Sequence, residues 1–227
     1  MNVLALDTST EFCSVALRTA DQEIVRDCEA GQRHSSLLLP MIGEVLGQAG
    51  LTLRMLDGIA FGAGPGSFTG LRISCGVVQG LAFAAGLPVY GVSSLLALAE
   101  ASGAGKVIAA LDARMGEIYH AVFVRHGNAW QTVIDANLCR ADTAPAVKGN
   151  GWCGVGSGFV VHGSALGARY GEALGAVQAH VIPHARYAAR LGEQAFARGQ
   201  GLPAHLAAPL YIRDKVALTV REQELLR

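Results

Sequence analysis

Charge is the scarcest thing in this sequence. Of 227 residues, only 16% are Asp, Glu, Lys or Arg, and the 18 basic side chains cancel the 18 acidic ones. A chain that holds nucleic acid unaided carries a basic excess, because phosphate contacts dominate such affinity. The balance here speaks against independent tRNA or DNA binding. Cysteine is sparse as well: Cys13, Cys28, Cys75, Cys139 and Cys153 are odd in number, scattered, and form no CxxC pair. That pattern fits reduced thiols in a cytosol better than disulfides or a zinc site. The opening MNVLALDTST has no basic stretch followed by a long apolar core, so no signal peptide is expected. The most apolar run, Cys75 to Val89, is short for a membrane span, contains Gln79 and Pro88, and follows Arg72 closely. It reads as a buried helix, and no membrane partner is expected.

What the sequence does have is apolar mass. At 51% hydrophobic residues the chain can build one large domain or two small ones. With so few charges, part of its surface is expected to be apolar and meant for another protein. Residues 2–7, 12–18 and 23–28 read as three consecutive short strands, the second alternating Cys13, Val15 and Leu17 against Ser14, Ala16 and Arg18. The period then changes. Over 34–49 apolar pairs fall at 37/38, 41/42 and 45/46, which predicts a helix started by Ser35 or Ser36 and stopped by Gly50. A strand at 59–61, a glycine-rich loop, a helix over 69–85, a strand at 89–92 and a helix begun by Ser93-Ser94 complete a β-β-β-α-β-α-β-α order. This is an α/β half-domain of the ribonuclease H kind. After a seam at Ala101 to Gly105, strands at 106–112, 117–125 and 129–136 start the meander again. The repeat looks incomplete: an irregular region at 149–158, a short strand at 159–162 and one clear helix over 185–198. The expected division is therefore a partner-binding half at 1–103 and a reduced half at 104–227.

Three places could carry chemistry. Asp7 ends the first strand and is followed by Thr8, Ser9 and Thr10. It could sit beside a phosphate or its magnesium, or merely hydrogen-bond the turn. The loop GAGPGSFTGLRIS, Gly62 to Ser74, is neither a P-loop, which needs GxxxxGK[ST], nor GxGxxG, since Ser67 or Thr69 stands where the third glycine belongs. Ser67 and Thr69 can cap the next helix, whose N-terminus could receive an anion; equally, the glycines could serve close backbone approach. Asp112, Arg114 and Glu117 form a charged knot, a site or a salt-bridged turn. His180 and His184 are four apart, but Pro183 between them spoils a helical metal pair.

The helices point to a partner. The 34–49 helix is wider in apolar residues than one core-facing stripe, and the next carries Gly76 and Gly80 at i, i+4 spacing, where a second helix can come close. The expected contact surface is Leu37, Leu38, Met41, Ile42 and Val45 with Arg72, Gly76, Val77 and Gly80; a deeply buried helix is the alternative.

The stretch GPGSFTGLRIS (Gly64, Pro65, Gly66, Ser67, Phe68, Thr69, Gly70 and onward) resembles the signature of the bacterial TsaB family, also called YeaZ. ALDTST at 5–10, HSSLLLP at 34–40, VSSLLALA at 92–99, DARMGEIY at 112–119 and PLYIRDKVA at 209–217 resemble it in the same order, across nearly the whole chain. The resemblance implies an ASKHA, actin-like ATPase fold of two ribonuclease H-like halves, the second reduced. It implies a cytoplasmic subunit without catalysis of its own, paired with TsaD and the ATPase TsaE. That assembly places a threonylcarbamoyl group on N6 of the adenosine beside the anticodon, in tRNAs that read codons starting with A. tRNA would be met only through the complex. TsaD carries a metal on an HxxxH pair; here Ser94 and Leu98 stand in those positions, so no metal and no peptidase chemistry are expected. The family's ATPase relatives use an Asp-x-Gly-Thr/Ser phosphate turn. Here Asp7, Thr8 and Ser9 put serine where glycine would stand, so no tightly bound nucleotide is expected; ATP or ADP at a composite interface stays open, near Asp7, Thr8 and Ser9 or the signature loop. The rival readings are a homodimeric module and a degenerate kinase or ATPase of the same fold.

Overall fold

The computed structural model describes residues 1–213, so Asp214 to Ala217 of the last motif lie outside the described residues. Two five-stranded sheets form two lobes. In the first, β1 (Val3–Asp7), β2 (Phe12–Arg18) and β3 (Glu23–Glu29) make an antiparallel meander, and β4 (Gly58–Gly64) and β5 (Val89–Ser93) add in parallel, giving the order β3-β2-β1-β4-β5. The second sheet repeats this with β6 (Lys106–Asp112), β7 (Glu117–His126), β8 (Ala129–Arg140), β9 (Trp152–Val155) and β10 (Leu174–Gln178), in the order β10-β9-β6-β7-β8. Read from its own first strand, that is the same order, so the second half is complete in strands. Its reduction lies in the helices.

Two expectations for this half change. Phe159 to His162 is not a strand: Gly158–Val161 is a single helical turn, α4 once α1 (His34–Ala49), α2 (Phe68–Ala85) and α3 (Ser94–Ser102) are counted. The irregular region contains β9, and a second short helix, α5 (Gly163–Tyr170), precedes β10. The run Phe-Val-Val is too short for its period to separate strand from helix.

Alternation along β1 explains the layering. Leu4 and Leu6 point to one face, where they join Leu17, Leu38, Ile42, Val45, Val78 and Ala82 in a core under α1 and α2. Val3 and Ala5 point to the other, toward α6 (Ala185–Ala197). That face is built from small residues, Ala5, Ala16 and Ala60 against Ala185, Ala188 and Ala189, so α6 lies close. The helix following the second sheet thus packs on the first, while α3, which follows the first, packs through Leu95, Leu98 and Ala99 on the second. A division at 103/104 describes the sheets but not α6. The caps also differ from expectation. Ser36 Oγ donates to the Arg33 carbonyl rather than capping α1, and Ser93 makes no side-chain cap of α3. Gly50 does end α1 in the left-handed conformation.

Candidate functional site

Asp7 and the signature loop meet at the ends of β1 and β4. The Asp7 carboxylate is buried, and its Oδ1 accepts from the Ser9 backbone N–H (2.9 Å) and hydroxyl (2.7 Å). The Thr8 hydroxyl donates to the Gly70 carbonyl (2.7 Å), and the Ser67 N–H donates to the Ser9 carbonyl (2.7 Å). A Cβ at Gly66 would run into the Ser9 carbonyl, and one at Gly70 into that of Thr8. The glycines therefore serve close backbone approach between two turns. The hydroxyls of Thr8 and Ser9 are spent inside the protein. Ser67 caps α2, accepting from the Gly70 N–H (3.2 Å). Asp7 Oδ2 has no hydrogen-bond partner among the described residues and faces Gly62. Burial pushes the Asp7 carboxyl above its ordinary range, outweighing the Ser9 hydrogen bonds and the nearby His184 and His34.

In front of these turns lies a cleft of about 1170 Å³ between the lobes. Ser9, Thr10 and the loop at Gly66 to Gly70 line one side, and Asp112, Arg114, Ser157 and Val161 the other. DARMGE is the β6–β7 turn. Arg114 donates its N–H to Asp112 Oδ1 (3.1 Å) and its guanidinium sits 3.4 Å from Oδ2. Arg114 and Met115 both have positive φ, 63° and 56°; such non-glycine residues cost about 1–3 kcal/mol each. The partner of Glu117 is Arg213, at 2.8 Å, which no sequence pattern indicated. His180 lines the cleft, whereas His184 caps α6 by accepting from the Arg186 N–H. Among the described residues no three His, Cys, Asp or Glu side chains cluster as metal ligands. Ser94 and Leu98, in the histidine positions, are wholly buried.

The expected partner surface divides in two. Leu38, Met41, Ile42 and Val45 are core, packed on the first sheet. They cannot touch a partner without unpacking the lobe, which corrects that part of the surface. Leu37 and Val77 are half-buried, and Arg72, Gly76 and Gly80 are exposed. The outer face of α2 runs Thr69, Arg72, Gly76, Gly80 and Phe83, with Phe83 82% exposed. Beside it, the outer face of α1 shows Leu39, Gly43 and Gly47. A Cβ at any of Gly43, Gly47, Gly76 or Gly80 would meet nothing within 4 Å. Helical glycine costs about 0.5–1 kcal/mol against alanine, and among the described residues nothing requires it at those four positions. Gly43 and Gly47 carry the same i, i+4 signal as Gly76 and Gly80 and were legible in the same way. Among the described residues α2 is the one helix long and apolar enough to cross a membrane; here it lies on the sheet with Leu71, Cys75, Val78 and Ala82 buried.

Known proteins share this sequence pattern and fold. The family model described as TsaD, tRNA N6-adenosine threonylcarbamoyltransferase, matches residues 25–151. The tRNA threonylcarbamoyladenosine biosynthesis protein TsaB of Escherichia coli is 37% identical over 233 aligned positions, 96% of each chain. That of Haemophilus influenzae is 35% identical over 229 positions, 95% of each. The solved structure of YeaZ from Pseudomonas aeruginosa superposes with a TM-score of 0.85 at 38% identity, over 92% of this chain and 99% of that one. Full-length similarity and a shared two-lobed, ASKHA-type architecture agree: the chain belongs to the TsaB family, also called YeaZ.

Proposed function

We propose that this chain is a non-catalytic subunit of tRNA threonylcarbamoyladenosine biosynthesis. In this reading it works in the cytoplasm, pairs with TsaD, and with the ATPase TsaE enables threonylcarbamoyl transfer to N6 of the adenosine beside the anticodon. The tRNAs concerned read codons starting with A, and they are met through the complex. The reading takes its pathway from family membership. The observation that carries the subunit's role is the closed turn at Asp7 to Ser9. Its hydroxyls bond the chain itself, and Gly66 and Gly70 pack against its carbonyls. Hydroxyls so engaged are not free to hold a transferring phosphoryl or acyl group. ATP or ADP, where it takes part, belongs in this reading to a composite interface with the partners.

The surface offered to TsaD is the outer face of α1 and α2, centred on Gly43, Gly47, Gly76, Gly80 and Phe83. Small residues let a facing helix approach, and the exposed Leu39 and Phe83 supply apolar anchors. A two-fold axis would set this face against its own copy, so a homodimer is the second reading for the isolated chain. Reconstitution tests the proposal. Cognate TsaD, TsaE, tRNA, ATP and the threonylcarbamoyl-adenylate precursor system are combined with and without this chain, and modified adenosine is measured. Product only when the chain is present, and none from the chain alone, is the expected result. Equal product without it contradicts the reading.

A further inference from the structure

The segment after α6 is a strap that crosses from one lobe to the other. Leu202 pairs with Val89 at the edge of the first sheet, both N–H donors reaching carbonyls at 2.8 Å. The Ala207 carbonyl accepts from Gln79 Nε2 (2.8 Å), and the Leu210 N–H donates to the Ala63 carbonyl (2.6 Å). The Tyr211 ring lies 5.8 Å from that of Phe68, the first residue of α2. These anchors all belong to the first lobe. Arg213, two residues on, grips the second. Its guanidinium donates to the Ala113 carbonyl (3.1 Å) and to Glu117 Oε2 (2.8 Å), and it lies 3.4 Å from Met115 Sδ.

We propose that Arg213 is an interlobe latch: it ties the strap, and through it the start of α2, to the β6–β7 turn that lines the cleft. Three observations carry this. The Arg213 side chain is only 14% exposed, so its contacts are shielded from water and their geometry is held. The turn it grips carries two non-glycine residues in the left-handed region, a conformation that persists only where surroundings impose it. Arg213 Nη2 donates both to a carbonyl before that pair and to a carboxylate after it, while Nη1 reaches Met115 Sδ, so both prongs of the guanidinium fork engage the turn. Two of the three sequence motifs thus joined, DARMGE and LYIR, lie about a hundred residues apart, the Arg213–Glu117 separation being 96. The latch makes the position of Arg114 in the cleft depend on how Tyr211 sits against Phe68 at the start of α2.

Hydrogen exchange on the full-length chain tests this. Arg213→Ala should speed exchange over residues 113–119 by about tenfold or more, leaving β1 and β9 unchanged, as expected for local opening. Arg213→Lys, which keeps the charge but not the fork, should fall between. Glu117→Gln, which loses the ion pair but keeps the Ala113 contact, should give a smaller acceleration over the same residues. No acceleration in any variant, or acceleration spread equally through β1 and β9, overturns the latch.

Discussion

The two lobes share one strand order but cover their sheets differently. The first carries long helices, α1 of 16 and α2 of 18 residues, whose inner faces complete an apolar core and whose outer faces stay open. In the second, the corresponding cover is α4 of 4 and α5 of 8 residues, and the core beneath them contains polar groups. His120, fully buried, shares a 2.8 Å hydrogen bond with the Tyr170 hydroxyl, which also donates to the Pro145 carbonyl (3.2 Å). The turns correspond as well. Gly66 and Gly70 lie against Thr8 and Ser9, and Gly156 and Gly158 lie against Ala110. The two halves share a strand order and close turns, while among the described residues the two longest helices, α1 and α2, both cover the first sheet.

The sharpest way to break this contrast is to charge the inner face of α1. Leu38→Asp removes a fully buried side chain and leaves an unpaired carboxylate, so the loss should be about 4–5 kcal/mol and the first lobe should unfold. Leu39→Asp, one residue on but exposed, should leave the unfolding free energy in urea within about 0.5 kcal/mol of wild type. Equal effects would mean the two faces of α1 are misassigned.

The second lobe should carry an acid-sensitive group of its own. Burial lowers the His120 pKa from 6.5 to about 4. A depressed histidine contributes stability above its unfolded value and loses it as pH falls through its folded value. Wild type should therefore lose about 3 kcal/mol between pH 6.5 and 4 from this group, and His120→Asn should flatten that part of the profile in urea titrations. A variant that keeps the full acid dependence would place its source elsewhere.

Gly70→Ala, which drives a methyl into the Thr8 carbonyl, should cost about 2–3 kcal/mol of unfolding free energy. Gly76→Ala and Gly80→Ala should do the reverse, each raising the stability of the isolated chain by about 0.5–1 kcal/mol in chemical denaturation. The last prediction concerns Asp7. Its raised carboxyl contributes fully below the unfolded value of 3.8, and that contribution is lost as pH rises through the folded value. Asp7→Asn should gain on wild type in melting temperature as pH rises above the unfolded value of 3.8; a constant difference would argue that Asp7 ionises freely.

The first lobe was legible because its elements are long and periodic. The boundaries of α1 follow from apolar pairs over 34–49, and the strands of the meander are bounded by turn residues. The second lobe hid β9 in a glycine-rich stretch and β10 in LGAVQ, whose central residues are all exposed and show no alternation. Sequence periodicity reports which residues are apolar, not what covers them. Leu38 and Ile42 looked available for a partner only because the sheet beneath them was unseen. Close turns such as Ser9 against Gly66, and the Arg213–Glu117 pair, join residues too far apart in sequence for any local pattern to reveal.

The most direct measurement of the central claim is sedimentation velocity on a chain carrying Gly76→Arg and Gly80→Arg, mixed with cognate TsaD. Both side chains enter open space, so the fold should survive, as circular dichroism would verify. The account predicts that wild type co-sediments with TsaD, that the variant does not, and that modified adenosine in the reconstituted system falls with it. A folded variant that still co-sediments and supports full modification would contradict the assignment of the α1–α2 outer face as the docking surface.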